Sequence, residues 1–171
     1  MDHLTWAGGN NMGGVREFRF APIQHLRNPP DIILGTVDEE MDFRQFAPGE
    51  SYDWNTGYVT EDTAEFQETE TEGPGGTLFI AEFTGFFPGD TAEQRANLDD
   101  IVRHYHVVDV TDNNGNLRRM GTLQNPARIT TAFSTGRGAS NRPGYELRVR
   151  WSGRHPVPFC VESSGSGSGS F

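Results

Sequence analysis

The sequence predicts a mainly β fold: a sandwich or barrel of antiparallel strands with one flanking helix over about 90–104, long loops and extended termini. Three observations carry this expectation. Apolar and polar residues alternate in several short stretches, the period of half-buried strands. Turn formers are dense, with 21 Gly and 10 Pro among 171 residues, and they break the chain into many short elements. Only one stretch repeats with a helical period, through Leu98, Ile101, Val102 and Tyr105. The length suits one domain with one core. We assign 15–160 to that domain, 1–14 to an N-terminal arm and 161–171 to a Ser/Gly-rich tail.

The elements follow in order. Gly8, Gly9, Asn10, Asn11, Gly13 and Gly14 make the arm a loop-like segment. Over 15–23, Phe18 and Phe20 share one face with Arg19 on the other, which predicts a strand. Asn28-Pro29-Pro30 breaks the chain before the apolar run Ile32-Ile33-Leu34. Residues 37–62 scatter Phe43, Phe46, Tyr52, Trp54 and Tyr58 among acids and glycines, with weak periodicity. So long a connection is usually functional or ordered by a partner. A hairpin then runs over 64–72 and 77–86 around Gly73-Pro74-Gly75-Gly76. Its first arm interleaves Glu65, Glu68, Glu70 and Glu72 with Thr, which predicts one anionic face turned to solvent or a wide lumen.

Pro88-Gly89 precedes the helix. Asp90 is its expected N-cap, and Glu93 three residues later completes the capping-box pattern. The stripe Leu98, Ile101, Val102, Tyr105 is expected to pack on a sheet. A strand over 106–111, a turn containing Asn114-Gly115 and a return strand over 117–122 form a second hairpin. Strands over 128–133 and 145–151 close the domain. The Ser/Gly run at 163–170 fits either an added linker or a natural flexible tail.

Charge limits the function. Asp and Glu total 24 against 14 basic residues, all Arg, for a net charge of −10. High-affinity nucleic-acid binding needs a basic footprint, so the net charge argues against that class. A surface along which nucleic acid slides without adhering is not. The absence of Lys suggests a GC-rich genome or a salt-adapted host. One cysteine, Cys160, excludes an internal disulfide and reads as a packed thiol. No apolar run approaches the ~20 residues that span a bilayer, so no membrane partner is expected. The first residues lack the basic-then-apolar pattern of a secretion signal, which points to assembly in a cytoplasm.

Motifs for chemistry are weak. Asp112-x-Asn114-x-Asn116 resembles the start of a calcium loop, but its Gly stands fourth and no Glu stands twelfth, so a hairpin turn is the preferred reading. His104 and His106 flank Tyr105 at a helix–strand junction, without further patterned ligands. A phosphate loop needs a Lys that the chain lacks, and no Gly-x-Ser-x-Gly elbow occurs. We expect no catalytic, metal or cofactor site and no enzymatic activity.

Phe83-Thr84-Gly85-Phe86-Phe87-Pro88-Gly89-Asp90, the segment Val107-Val108-Asp109-Val110-Thr111-Asp112-Asn113-Asn114-Gly115, and Arg142-Pro143-Gly144-Tyr145 follow one another in the order strand, break, helix, hairpin, closing strands. This half of the chain resembles tail-tube (major tail) proteins of tailed phages. The resemblance implies a β-sandwich or barrel, six-fold rings stacked into a hollow tube, and DNA passing through without specific binding. It implies copies of the chain as partners, possibly with other tail proteins, and a place in the virion tail after assembly in the host cytoplasm. Glu65, Glu68, Glu70 and Glu72 are then the candidate lumen- or ring-facing acids. Met12, Phe43, Phe46, Tyr52, Trp54, Tyr58 and Phe171 are candidate contacts between subunits. The alternatives are another virion component (a tail terminator, head–tail connector or minor capsid protein) and, less favoured, a carbohydrate- or partner-binding sandwich with Tyr52, Trp54 and Tyr58 as its platform.

Overall fold

The computed structural model describes residues 13–32, 35–60, 62–137 and 142–162. Met12, most of the arm, Ile33-Leu34, the centre of the Gly136–Gly144 linker, the Ser/Gly run and Phe171 lie outside these residues. The chain forms β1 (Val15–Pro22), a 3-10 turn (Ile23–His25), β2 (Thr36–Asp38), β3 (Gln45–Ala47), β4 (Glu50–Ser51) and β5 (Asn55–Gly57). A long hairpin of β6 (Glu65–Gly73) and β7 (Gly76–Pro88) leads to helix α1 (Ala92–Arg103). After it come β8 (Tyr105–Asp112), β9 (Leu117–Met120), β10 (Ala127–Ser134), β11 (Gly144–Gly153) and β12 (Phe159–Val161).

β8 is the pivot. One of its edges pairs with β1 over nearly its whole length, and β5 pairs on beyond β1. Its other edge is shared: β9 takes Val108 to Thr111 and β10 takes Tyr105 and His106. The sheet therefore folds over at β8. One layer runs β5-β1-β8-β9-β12-β2 and the other runs β10-β11-β7-β6. Every pair is antiparallel except β12 with β2. Gly121 stands at the corner where the chain leaves β9 for β10. Its φ of +96° is left-handed, and a Cβ there would lie 2.8 Å from the Ala127 nitrogen and 2.9 Å from the His106 oxygen. Only glycine satisfies both constraints.

The main core fills the space between the layers. β11 buries Tyr145, Leu147, Val149 and Trp151 and turns Glu146, Arg148, Arg150 and Ser152 outward, the strict alternation of a half-buried strand. β7 adds Ala81 and Phe83; β1 and β8 add Phe18, Phe20, Val108 and Val110 from the facing layer. The Phe18 and Phe83 rings meet at 5.0 Å across the sandwich. Phe18 also lies flat on Gly57 of β5, where any Cβ would enter its ring.

Two expectations about the helix are corrected. The helix begins one residue later than its capping pattern suggested. Thr91, not Asp90, is the N-cap: the Gln94 amide donates to the Thr91 hydroxyl oxygen and the Thr91 amide donates to Gln94 Oε1, both at 3.1 Å. Asp90 instead accepts the Tyr145 hydroxyl at 2.9 Å, a tertiary bond that outbids its local capping role. The apolar stripe is also shorter. Leu98 is buried and Ile101 packs on the core, with Val102 half-buried. Tyr105 is half exposed and belongs to β8, because His104 turns extended and ends the helix before the stripe's last position.

The segment 37–62 is not an unstructured connection. It contributes β3, β4 and β5, and residues 39–54 cross the outer face of the first layer as a strap. Beneath it Ala21, Leu26 and Val107 form a second small core with the strap's own Met41, edged by Phe43, Trp54 and Leu123.

Replacing Thr91 with Ala is expected to cost about 1 kcal/mol in urea unfolding. Replacing Glu93 should stay within ~0.5 kcal/mol, as for an ordinary surface site. Phe83→Ala should cost about 3–5 kcal/mol. Equal losses at positions 91 and 93 would refute the cap assignment.

Candidate assembly surfaces

The β6–β7 hairpin positions the acidic residues. Its register sets Phe66 opposite Phe83, Glu68 opposite Ala81, Glu70 opposite Phe79 and Glu72 opposite Thr77. Residues directly opposite share a face. Phe83 and Ala81 face the core, so Phe66, Glu68, Glu70 and Glu72 form one row on that same side. Glu65 lies on the other side with Gln67, Thr69 and Thr71. The four acids are thus split three and one, because Phe66 and Gln67 advance the alternation between Glu65 and Glu68.

The row changes character where its cover ends. Phe66 is half-buried and lies beneath the Arg118 guanidinium. Glu68 is the last anchored member, accepting the Val157 amide at 2.6 Å. Beyond it Glu70 and Glu72 are exposed and have no partner among the described residues. The hairpin carries the inward face of its layer past the end of the sandwich. There Glu70 and Glu72 take the positions that Phe66 holds nearer the core, with half-buried Phe79 opposite Glu70 on the same face. On the opposite face Leu78 is exposed and Ile80 half-buried. The outer edge of β6 pairs with no strand among the described residues, although β6 is nine residues long.

The aromatic residues expected at contacts take different roles. Phe46 and Tyr58 present open rings, 57% and 60% exposed. Among the described rings Tyr58 meets Phe87 alone, edge to face at 6.4 Å. Tyr52 is sandwiched, stacked on His25 at 3.8 Å and tilted against Phe46 at 5.1 Å. Phe43 and Trp54 meet edge to face at 5.7 Å over the second core. No ring contact joins Tyr58 to Tyr52 or Trp54 among the described residues, so the three do not form a common platform.

What holds the strap is a cluster that the sequence reading passed over. Asp109 of β8 is fully buried. Arg119 of β9 donates to it from Nε at 2.7 Å and Nη2 at 2.9 Å. Arg19 of β1 donates from Nε and Nη2 at 3.1 and 3.0 Å and reaches on to Glu39 at 3.1 Å. Arg119 also donates to the Asp38 and Glu39 carbonyls at 2.7 and 3.0 Å. Trp54 roofs the assembly, 4.7 Å from the Arg19 guanidinium and 5.4 Å from that of Arg119. Burial opposes the charge on Arg119, but its bonds to Asp109 outweigh burial and raise its pKa. Burial, reinforced by Asp109, pushes the neighbouring Cys160 thiol up to about 12. The signal available in sequence was an acid set inside the apolar run Val107-Val108-Asp109-Val110.

The Asp112 turn is a closed hydrogen-bond set. The Asp112 carboxylate accepts the Asn114 and Asn116 amides at 2.9 Å, the Asn116 side chain, and Arg118 Nη1 at 2.8 Å. Burial opposes its ionisation, yet Arg118 and the Asn116 bonds hold its pKa below the usual range. Its oxygens are committed within the hairpin. No group of three or more His, Cys, Asp and Glu among the described residues is arranged to hold a metal ion. No helix among the described residues is long and apolar enough to cross a membrane. Comparison with protein-family models, curated proteins and solved structures finds no match.

Replacing Asp109 with Asn leaves two arginines facing a neutral group and should cost about 3–5 kcal/mol in chemical unfolding. In the native protein at pH 8, Cys160 should react with a maleimide at least ~100-fold more slowly than in the urea-unfolded chain. Comparable rates would contradict the closed strap.

Proposed function

We propose that this chain is a structural subunit that assembles head to tail into rings stacked as the tube of a phage or phage-like tail. The observation that carries this reading is the β6–β7 hairpin, with a nine-residue edge that pairs with no strand among the described residues and an acidic row extending past the sandwich. An open edge of that length is a template for pairing with another chain. Two copies of β6 pairing antiparallel would bring Glu beside Glu, which disfavours a symmetric dimer. At its other end the layer β10-β11-β7-β6 finishes on β10, on which α1 packs and whose far edge is only partly taken by another strand among the described residues. Beyond Arg128, residues 129–134 of β10 carry no charge and, among the described residues, pair only with β11. Joining the acidic edge of one copy to the neutral edge of the next is a heterologous contact, the kind that closes rings.

Charge fits a conduit. Six copies bring about 60 net negative charges to a ring, six times the 10 of one chain. A lumen lined by Glu68, Glu70 and Glu72 repels a phosphate backbone and lets DNA slide. The open rings of Phe46 and Tyr58 suit contacts between copies, either within a ring or between stacked rings. Assembly in the host cytoplasm and residence in the virion tail follow from this role, which requires no catalysis or cofactor.

Negative-stain microscopy of the purified protein over a range of concentration and salt is the test. Stacked annuli or tubes are expected. Single rings that never stack would move the assignment to a terminator or connector. A persistent 19 kDa monomer would overturn it. Glu70→Arg with Glu72→Arg should change the unfolding free energy by no more than ~0.5 kcal/mol per site. In assembled particles the same pair should convert DNA exclusion into DNA retention, read by co-sedimentation.

A further inference from the structure

Strand pairing fixes how the two edges of the second layer stand relative to each other. Gln67, Glu82, Arg150 and Arg128 lie opposite one another in turn, so they form one row across β6, β7, β11 and β10. From that row β6 continues through 68–73 toward the hairpin turn, whereas β10 has only Ala127 on that side. In the other direction β10 continues through 129–134, and β6 has only Glu65 and Phe66. The two edges are therefore displaced along the strands in opposite senses. Copies set side by side at one level would bring 65–68 beside 130–127 and leave the rest of both edges open.

Strand sense, facing and coverage select the register that pairs them. The layer has four antiparallel strands, so a next copy in the same orientation presents its β10 antiparallel to β6. Outward residues must meet outward residues: Glu65, Gln67, Thr69 and Thr71 on β6, and Arg128, Thr130, Ala132 and Ser134 on β10. Only shifts by an even number of residues allow this. The smallest even shift that pairs all of 129–134 is four residues, which sets 65–70 against 134–129. Phe66 then faces Phe133, a ring 39% exposed that leans on Tyr145 at 5.0 Å. Thr69 faces Thr130, and no acid faces an acid, since 129–134 carry no charge. A slip of two more residues would put Glu68 on Phe133. A slip of two fewer would leave Phe133 and Ser134 beyond the start of β6. α1 packs on β10 with Ile101 against the main core that Ile129 joins, and Thr130 and Ala132 stay exposed on the opposite face.

We propose that β6 of one copy pairs with β10 of the next in this four-residue stagger, Phe66 opposite Phe133 and Thr69 opposite Thr130, and that the stagger supplies the strand tilt by which the ring closes. This register presupposes the ring assembly proposed above. Four residues at ~3.3 Å displace each copy by about 13 Å along the strands. The four strands of a copy, at ~4.8 Å spacing, span about 19 Å across them. The strands consequently tilt by roughly 35° from the ring axis, the tilt typical of closed sheets. A layer with level edges would join its copies without a stagger and would gain no tilt.

Cysteine cross-linking of the full chain under assembly conditions tests the register. Thr69 and Thr130 are exposed, so substitution at both leaves the core intact. Within one chain they are separated by three strand spacings, about 14 Å, beyond the reach of a disulfide. A covalent ladder on a non-reducing gel therefore reports contacts between copies. The chain carrying Thr69→Cys with Thr130→Cys should cross-link at least ~10-fold faster than either slipped pair, Thr69→Cys with Ala132→Cys or Gln67→Cys with Thr130→Cys. Equal rates, or a faster slipped pair, would overturn the stagger and leave ring assembly standing. Rings seen by microscopy without any ladder would do the same. Failure of the unsubstituted chain to form rings would overturn both.

Discussion

A carboxylate with no exposed surface organises this molecule. Asp109 sits in the central strand of the first layer, and leaving it unpaired there would cost several kcal/mol. Arg119 and Arg19 are the required counterparts, from the strands on either side. Satisfying them demands more. Arg119 still has donors to place, and it places them on the Asp38 and Glu39 carbonyls. Both guanidinium planes then offer a surface on which Trp54 lies. One buried charge thus fixes the register of three strands, the start of the strap and its end. Hydrophobic burial could hold the strap down, but it would not choose where the strap crosses.

That constraint separates the molecule into a closed side and an open side. On the closed side, the strap converts an acidic, aromatic segment into a cover for a second small core. Only the ring of Phe46 remains well exposed on it. On the open side, the β6–β7 hairpin leaves the sandwich with its strand edge unpaired among the described residues and its inward row turned from Phe66 to Glu68, Glu70 and Glu72. A soluble monomer normally protects such an edge by shortening, bending or covering it. Here the protection is charge alone, which discourages like-to-like pairing and leaves a complementary edge admissible. The proposed head-to-tail assembly is one resolution of that asymmetry.

Much of the fold was legible in residue order. The alternation in β1, β7 and β11 and the turn at Asn114-Gly115 each place a strand or hairpin within a residue or two of where it lies. These signals are local, so they survive without tertiary knowledge. The helix cap was misplaced by one residue because Asp90 and Thr91 are both competent caps; the hydroxyl of Tyr145, 55 residues away, settles the choice. The four acids looked like one face because Thr and Glu alternate around them. Only the pairing register shows Glu65 on the other side. The strap's order was hidden because its periodicity is weak and its anchors, Arg19, Asp109 and Arg119, are scattered along the chain.

Taken alone, the amino-acid order determined the β class, the single helix, the main turns and the surplus of negative charge, because each depends on composition or on neighbours a few residues apart. Tertiary structure decided which side of a strand each glutamate faces, which rings stay open, and that an aspartate in a run of valines anchors the strap. Those outcomes depend on which distant strands lie side by side. They also depend on the cost of burying a charge, which is met only when its partners arrive from elsewhere in the chain.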